Sequence, residues 1–262
     1  MLSKAQIKLI RSLEQKKYRD RHKLFIAEGD KIVHELLDSS LIVECVFAKK
    51  AWLAQISEHL NSKTPKIVEI DDKELSQISF LKTPNQAMAL VQIPQHSLDM
   101  AEITGGLSLY LDSVQDPGNL GTIIRLADWF GIRNVLCGEN CADLFNPKTV
   151  QSTMGAVIRV KIHQTGIDFF RQLRTYDRDF PVYGTFLNGE NIYNTQLSPK
   201  ALIVMGNESK GIGNDVAQYI TSRLLIPSYP IDKQTSESLN VATAAAIVCA
   251  EFRRKEICRS WL

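Results

Sequence analysis

The chain has 262 residues, of which 44% are hydrophobic and 23% are charged, and its formal net charge is +2 at pH 7. This composition excludes a disordered chain and is typical of a globular protein with one large domain or two ordinary ones. The N-terminus has no apolar signal region and the longest apolar run, 241–250, is too short to span a bilayer, so we expect a cytoplasmic protein without a membrane segment.

The charge is distributed unevenly. Residues 1–25 contain eight Lys and Arg against two acidic residues, a net charge of +6, so the other 237 residues carry −4. A basic leading segment is expected of a protein that binds a polyanion, although a solvated helix face explains the same charges equally well. The candidate contacts to a polyanion are Lys16, Lys17, Arg19 and Arg21.

The cysteines and histidines do not follow a metal-binding pattern. The five cysteines are odd in number and include no CxxC pair, and no histidine lies near Cys137 and Cys141 to complete a zinc site. We therefore expect reduced, mostly packed thiols and no metal. Hydrolytic chemistry also has little support, because the histidines are scattered along the sequence.

The first 94 residues alternate helices and strands. Apolar spacing predicts a first helix through Ile7, Ile10 and Leu13, then a turn at 20–22 and a short apolar run at 24–27. Strands are predicted at 41–48, 66–70 and 87–92, with helices through 32–37, 50–60 and 71–80. This pattern indicates a small α/β domain, 1–94, followed by a polar, glycine-bearing linker at 95–106.

The second half repeats the alternation more strongly. Strands are predicted at 107–111, 134–137, 157–162, 181–186, 201–205 and 222–226, with helices at 119–130, 148–154, 167–176, 214–218 and the C-terminus. Strands this apolar indicate a buried parallel sheet with helices on both faces. Such sheets bind ligands at the carboxyl ends of their strands, so the loops after strands are the candidate site.

Three of these loops are unusual. The first has Asn119, Gly121 and Arg125 spaced as NxGxxxR, with Asn119 able to cap a helix. The second, 205–213, has three glycines directly after a strand but matches neither a Walker loop nor a dinucleotide fingerprint. The third ends a strand at Pro227 and, after a polar loop, opens an alanine-rich helix at Ser238-Leu239-Asn240.

Together the three motifs, in this order, resemble the SpoU (TrmH) family of RNA ribose 2′-O-methyltransferases in the SPOUT superfamily. The resemblance covers residues 107–262. Residues 25–29 look like the start of that family's small substrate-binding domain, which is similar to ribosomal protein L30e. The resemblance implies an α/β fold with a deep trefoil knot in 107–262, an exception to the rule against threaded chains, and a homodimer.

The resemblance also implies an activity and its residues. The activity is methylation of a ribose 2′-hydroxyl in structured RNA with S-adenosylmethionine as donor, and 23S ribosomal RNA is favoured over transfer RNA because of the separate N-terminal domain. On the matching positions the donor would contact Thr185, Gly206, Ile226 and Leu239. The catalytic positions would be Arg125, Glu208, Ser238 and Asn240, with Asn119 supporting its motif.

Two roles stay open at this level. The family's arginine is often assigned as the base, but a guanidinium keeps its proton up to about pH 12, so we favour Arg125 as stabiliser of the developing alkoxide and of an RNA phosphate. Ser238 and Asn240 would then orient the hydroxyl. Glu208 would hold Arg125 or Lys210, or act only as a carboxylate at a helix N-terminus.

Two positions depart from the family pattern. The loop from Ile226 to Ser238 is several residues longer than usual and has Ser228 where methionine is common. Gln151 stands where a basic residue is frequent, which puts phosphate contacts there in doubt.

Three other functions remain as alternatives. A transfer RNA ribose methyltransferase would have the same motifs. A non-catalytic RNA-binding ribosome-assembly factor would keep the basic segment but has no need of Arg125, Ser238 and Asn240 together. A nucleotide-dependent α/β enzyme would need a phosphate-binding motif that the sequence lacks.

Overall fold

The computed structural model describes residues 2–56, 66–230 and 238–260, and of residues 255–260 only the backbone. By its internal contacts the chain forms two units, one of Met1–Gln95 with Asp143–Ile158 and one of His96–Ala142 with Arg159–Leu262. Each unit is thus assembled from two separate stretches of sequence. The functional division into 1–94, 95–106 and 107–262 stays a prediction.

The first unit is a four-stranded sheet with helices. Its elements are α1 (Lys4–Ser12), α2 (Lys16–His22), β1 (Leu24–Glu28), α3 (Asp30–Leu37), β2 (Val43–Ala48), α4 (Lys50–Ile56), β3 (Lys66–Glu69), α5 (Asp72–Ile78) and β4 (Ala87–Gln92). The strand order is β1-β4-β2-β3, with β4 antiparallel to β1 and β2, and β2 parallel to β3. The predicted alternation of helices and strands is therefore confirmed for this half of the chain.

The predicted turn at 20–22 is wrong. These residues belong to α2, and the chain reverses only at Lys23, which has a left-handed φ of 56°. Residues 16–22 lack the apolar spacing that predicts a helix, because only Arg19 of this helix is buried. The end of the predicted helix 50–60 lies outside the described residues.

A buried ion pair joins α2 to the distant stretch 143–158 of the same unit. Arg19 is 2% exposed, and its guanidinium lies 3.0 Å from Asp143 Oδ1 and donates to the carbonyls of Leu13 and Glu14. Next to this pair, the rings of Phe25 and Phe145 are 4.9 Å apart. The stretch 143–158 therefore packs with the first unit through both a charge and an aromatic contact.

The second unit is built on a six-stranded sheet. Its elements are α6 (Met100–Thr104), β5 (Leu107–Leu111), α7 (Pro117–Trp129), β6 (Asn134–Cys137), β7 (Lys161–Gln164), α9 (Asp168–Tyr176), β8 (Val182–Asn191), β9 (Ala201–Met205), α10 (Asn214–Ala217), β10 (Ser222–Leu225) and α11 (Val241–Ser260). The helix α8 (Pro147–Ser152) lies between β6 and β7 in the sequence but belongs to the first unit. The order is β10-β8-β9-β5-β6-β7 and every pair is parallel. This confirms the predicted α/β class with a parallel sheet, while the knot stays a prediction. Among the described residues, no helix has the length and apolar content that a membrane span requires.

The predicted strand at 157–162 is displaced in the structure. Residues Ala156–Ile158 form a single 3-10 turn, and the strand β7 begins at Lys161. Val157 is buried with the first unit, whereas β7 belongs to the second. An apolar run that divides between two cores cannot be told from one strand by hydrophobicity alone.

The stretch predicted as a linker contains the short helix α6. Asp99 caps it by accepting a hydrogen bond from the Ala101 amide at 2.9 Å. Ile103 is fully buried in the same cluster as Tyr110 and Phe170, so this stretch contributes to the core of the second unit.

Strand β8 leaves the sheet part-way along its length. Its pairing with β9 ends at Gly184, and its pairing with β10 jumps from Gly184 to Glu190. Residues 185–189 therefore form an excursion from the ladder. The excursion begins at Thr185, one of the predicted donor contacts.

We expect Asp143→Ala to lower the free energy of unfolding by about 3 kcal/mol, because the buried Arg19 charge would lose its partner. Urea denaturation followed by circular dichroism would measure the change. Asp20→Ala on the exposed face of α2 is the matched control, with an expected change within about 0.5 kcal/mol. Arg19→Met combined with Asp143→Ala should recover part of the loss, and equal effects of Asp143→Ala and Asp20→Ala would contradict this role for the ion pair.

Candidate active site

The sheet order brings the three motif loops to one edge. Strands β10, β8, β9 and β5 are consecutive neighbours and all run parallel, so their carboxyl ends meet. Ile226 follows β10, Thr185 follows the paired part of β8, Gly206 follows β9, and the segment leading to Asn119 follows β5. The predicted edge is thus where the residues of all three motifs converge.

The loop after β5 is held by its own polar side chains. Asp116 caps α7 by accepting from the Asn119 amide at 2.8 Å. Asp112 accepts from the Gly213 amide at 2.7 Å, and the Ser113 carbonyl accepts from Asn207 Nδ2 at 2.8 Å. These bonds tie the loop after β5 to the loop after β9.

The loop after β9 closes on itself. Asn207 and Gly211 exchange two backbone hydrogen bonds of 2.9 Å, and Gly211 has a positive φ of 67°. A Cβ at Gly206 would lie 2.3 Å from the Gly211 carbonyl carbon, so only glycine fits there. Gly206 and Gly211 are therefore explained first by this tight loop.

A chain of side-chain hydrogen bonds links the three motifs. Asn119 Nδ2 donates to Glu208 Oε1 at 2.9 Å, and Asn119 Oδ1 accepts from Asn240 Nδ2 at 3.0 Å. Asn240 Oδ1 in turn accepts from the amides of Ala242 and Thr243 at 2.9 and 3.2 Å, the first turn of α11. One residue from each motif takes part, so the chain joins the starts of α7 and α11 to the loop after β9.

The predicted partner of Glu208 is replaced by another. Neither Arg125 nor Lys210 pairs with it among the described residues, and its hydrogen bond goes to Asn119. An amide donor suits this position because an ionised carboxylate only accepts hydrogen bonds. Sequence spacing does not reveal this contact, since the two residues are far apart along the chain.

Three other predicted residues lie outside this chain of bonds. Arg125 is exposed on α7, and within the described part of the chain its side chain has neither a hydrogen bond nor an ion pair. Ser238 is exposed and Leu239 is 46% exposed, immediately before α11. These groups are open to a ligand rather than engaged in holding the fold.

The edge also suits an elongated ligand with an apolar part. Thr185 and Ile226 are half-buried, and the exposed Leu239 adds an apolar side chain next to Asn240. Gly206 has only backbone groups, and it follows β9, the neighbour of β8. Together these residues offer a hydroxyl, backbone groups and apolar side chains at one edge of the sheet.

The predicted polyanion contacts divide into two groups. Lys16, Lys17 and Arg21 are exposed on α2 and remain available, and the Lys17 ammonium lies 4.9 Å from the centre of the Tyr18 ring. Arg19 was predicted with them, but this prediction is wrong because its side chain is buried and paired with Asp143. A count of charges along the sequence cannot separate these two situations.

The residues that support the loops are not among the predicted site residues. Asp112, Ser113, Asp116 and Asn207 anchor the residues of the motifs through their hydrogen bonds. Their signal in the sequence is an Asp, Asn or Ser directly after an apolar strand, where such side chains commonly bind backbone amides.

A histidine pair and a charged depression lie apart from the three motifs. His96 and His163, which the sequence leaves scattered, have ring centres 6.1 Å apart, but among the described residues no group of three or more His, Cys, Asp or Glu could hold a metal ion. A depression of about 430 Å³ in the first unit is lined by Lys49, Lys50 and four carboxylates but by none of the motif residues.

Comparison with known proteins agrees with this geometry. The sequence model of the SpoU rRNA methylase family matches residues 106–250, more than half of the chain. The chain belongs to the SpoU rRNA methylase family. Residues 4–89 match a second family, the MRM3-like substrate binding domain.

Individual relatives of this SpoU family member extend over nearly its whole length. The 23S rRNA (guanosine(2553)-2'-O)-methyltransferase RlmP of Bacillus subtilis is 31% identical over 250 residues, which are 95% of this chain and 96% of that protein. A protein of Porphyromonas gingivalis assigned to the TrmH family of RNA methyltransferases has a solved structure with 41% identity and a TM-score of 0.86, covering 97% and 99% of the two chains. An AdoMet-bound rRNA methyltransferase of Sinorhizobium meliloti has 29% identity and a TM-score of 0.84, covering 97% and 96%.

We expect Asn119→Asp to lower the free energy of unfolding by about 1–3 kcal/mol, because it places a second carboxylate against Glu208. The loss should shrink as the pH falls, since a shared proton then joins the two carboxylates. Glu208→Gln in the same chain should restore most of the stability by reversing the direction of the hydrogen bond. Urea denaturation at pH 5 and pH 8 would measure both effects.

Asn194→Asp is the matched control for the added charge, since Asn194 is exposed and its side chain has no hydrogen bond within the described part of the chain. A carboxylate near the start of α7 is favoured by the helix dipole. Equal or higher stability of Asn119→Asp would therefore show that the dipole outweighs the bond to Glu208.

Proposed function

We propose that this protein transfers a methyl group from S-adenosylmethionine to a ribose 2′-hydroxyl of 23S ribosomal RNA. The observation that carries the proposal is the chain of hydrogen bonds from Glu208 through Asn119 to Asn240, which joins the three motifs at the carboxyl edge of the sheet. Around it, Arg125 and Ser238 are exposed and Leu239 is half-exposed, so they can meet substrate and donor.

The donor supplies an electrophilic methyl group on a sulfonium, and no metal is needed for its displacement. Thr185, Gly206, Ile226 and Leu239 would hold it at the edge of the sheet. Backbone groups of Gly206 and Ile226 would provide hydrogen bonds, and the side chain of Leu239 would provide apolar contact. The AdoMet-bound relative of 29% identity supports this assignment.

The hydrogen-bond chain limits what Asn240 can do. Its Oδ1 already accepts two backbone hydrogen bonds, so both lone pairs are occupied. Its Nδ2 gives one hydrogen to Asn119, which leaves the other N–H free to donate. Asn240 therefore serves as a hydrogen-bond donor to the ribose oxygen and not as an acceptor of its proton.

The remaining polar groups take complementary roles. The guanidinium of Arg125 offers a planar cation with several N–H donors, so it stabilises the negative charge that develops on the ribose oxygen and binds a neighbouring phosphate. Ser238 can both donate and accept, and it orients the hydroxyl together with Asn240. Glu208 fixes the orientation of Asn119, and through it the orientation of Asn240.

The first unit is proposed to bind the RNA. Residues 4–89 match a substrate-binding family, and Lys16, Lys17 and Arg21 form an exposed cationic face on α2. RNA rather than DNA follows from the reaction, because only ribose has a 2′-hydroxyl. Ribosomal RNA is favoured over transfer RNA because the name of the Bacillus relative specifies 23S rRNA and that relative spans nearly the whole chain.

The other parts of the proposal concern assembly and domains. We assign RNA binding to 1–94 and catalysis to 107–262, with the stretch 95–106 between them. We also propose a homodimer that works in the cytoplasm. A non-catalytic assembly factor is the competing function, and the joint presence of Arg125, Ser238 and Asn240 argues against it.

Calorimetry with S-adenosylmethionine should give micromolar dissociation constants for both the native protein and Arg125→Ala, since Arg125 is assigned to substrate and not to donor. Methyl transfer to 23S ribosomal RNA should fall by about 100-fold or more in Arg125→Ala. Arg125→Lys tests the geometry, and near-normal turnover in that variant would count against a bidentate arginine. Donor binding by neither protein would favour the non-catalytic factor, and preferred methylation of transfer RNA would overturn the proposed substrate.

Replacing Lys16, Lys17 and Arg21 together by Ala should weaken RNA binding and reduce its salt dependence. Each lost phosphate contact lowers the slope of log affinity against log salt by about 0.7–0.9, so a total change of about 2.1–2.7 is expected for three contacts. Filter binding of 23S ribosomal RNA at several salt concentrations would measure the slope. Lys200→Ala, an exposed lysine of the second unit, is the control, and an unchanged slope in the triple variant would place the RNA elsewhere.

A further inference from the structure

The excursion of β8 leaves the sheet and returns to it within one step of the neighbouring strand. Arg223 of β10 pairs with Gly184, just before the excursion. Leu224, the next residue of β10, pairs with Glu190, just after it. A Cβ at Gly189 would lie 2.6 Å from the carbonyl carbon of Leu224 and 2.8 Å from that of Arg223. The returning chain therefore passes directly over the backbone of β10, and only glycine fits at this point.

The two faces of β8 are covered by different helices. Val182 belongs to the buried cluster that includes side chains of α9, and Phe186 packs against the same cluster. Tyr183 lies on the opposite face, where its ring centre is 5.1 Å from that of Phe252 in α11. The chain stays extended through the excursion, so successive side chains point to opposite faces. Thr185 is therefore on the side of α11 when Phe186 is on the side of α9.

Two contacts hold Phe186 on the side of α9. Gly184 has no side chain, and the Phe186 ring folds back over it, so that a Cβ at Gly184 would lie 2.9 Å from Phe186 Cε2. The guanidinium carbon of Arg223 lies 4.6 Å from the centre of the same ring. Arg223 is exposed, and within the described residues its side chain has neither a hydrogen bond nor an ion pair. The aromatic face is therefore the group with which this charge interacts.

Side-chain contacts are needed in the excursion because strand pairing does not fix its register. Within the described part of the chain, none of its five residues pairs with β9 or β10. Leu187 is 75% exposed and Asn188 is also exposed, so neither side chain is held by the core. Phe186 is thus the side chain that attaches the outward arm of the excursion to the second unit.

We propose that Arg223 and Phe186 are positioning residues for the methyl donor. The guanidinium holds the ring on the α9 side of β8, and this presents Thr185 on the α11 side. A slip of the excursion by one residue would bring Phe186 to the α11 side and turn Thr185 away from it. The role rests on the proposed function, because Thr185 is assigned there to the donor.

Hydrogen–deuterium exchange of the ligand-free protein tests whether Arg223 holds the excursion. The amides of 185–189 should exchange about two- to fivefold faster in Arg223→Gln, the factor expected from loss of an exposed cation–π contact. Arg223→Lys keeps the cation and should exchange like the native protein. Arg178→Gln is the matched control, since Arg178 is exposed in the second unit and its side chain has neither a hydrogen bond nor an ion pair within the described residues. Equal exchange in Arg223→Gln and the native protein would overturn the proposal.

Calorimetry and kinetics test the effect on the donor. The dissociation constant for S-adenosylmethionine should rise by about two- to fivefold in Arg223→Gln. The double variant Phe186→Leu with Arg223→Gln should bind no more weakly than Phe186→Leu alone, because both changes remove the same contact. The rise should appear in the KM for the donor, while kcat at saturating donor and the thermal unfolding midpoint stay unchanged.

The outcomes separate the positioning role from the proposed function. Unchanged donor affinity in Arg223→Gln, with donor bound by the native protein, would overturn the positioning role and leave the methyltransferase function in place. A lower kcat with an unchanged KM would also overturn it, since Arg223 would then act in the chemical step. No donor binding by the native protein would overturn the proposed function and the donor role together, whereas the exchange measurement needs neither donor nor RNA.

Discussion

Parallel pairing of six strands is the constraint on which the rest of this protein depends. Every strand of the second unit points the same way, so every loop that follows a strand opens at the same edge. The order β10-β8-β9-β5 then makes neighbours of segments that are far apart in sequence. Gly206 and Ile226 meet at this edge because of the sheet, and polar side chains only refine their positions.

The hydrogen bonds among these polar side chains have a fixed direction, because an ionised carboxylate such as that of Glu208 can only accept hydrogen bonds. Asn119 must therefore present its amide nitrogen to Glu208 and its oxygen to Asn240. Asn240 then has its oxygen left for the first amides of α11. One carboxylate thus orients two amides in succession, and the last of them is the one that faces substrate in the proposed reaction.

Much of this was predictable from sequence, and the exceptions have physical reasons. Apolar periodicity predicts most strands, and parallel strands place their loops together, so the edge at which the three motifs meet could be predicted from the sequence. The partner of Glu208 could not be predicted, because the direction of a side chain depends on backbone angles within a glycine-rich loop. The burial of Arg19 was also missed, since its charge is neutralised by Asp143, a residue from the other half of the sequence.

The stretch 143–158 packs with the first unit although it lies in the second half of the sequence, so the two units are not independent modules. The two units look like consecutive modules in sequence, with a substrate-binding match in one half and a methylase match in the other. Yet α8 and the residues on either side of it, which lie in the second half of the sequence, form part of the first unit. A gene fragment that ends after β4 would encode Arg19 without its counter-ion and Phe25 without the ring that packs on it. A recombinant that takes its second half from a relative would therefore need an acidic residue at position 143 and an aromatic ring at position 145 to restore both contacts.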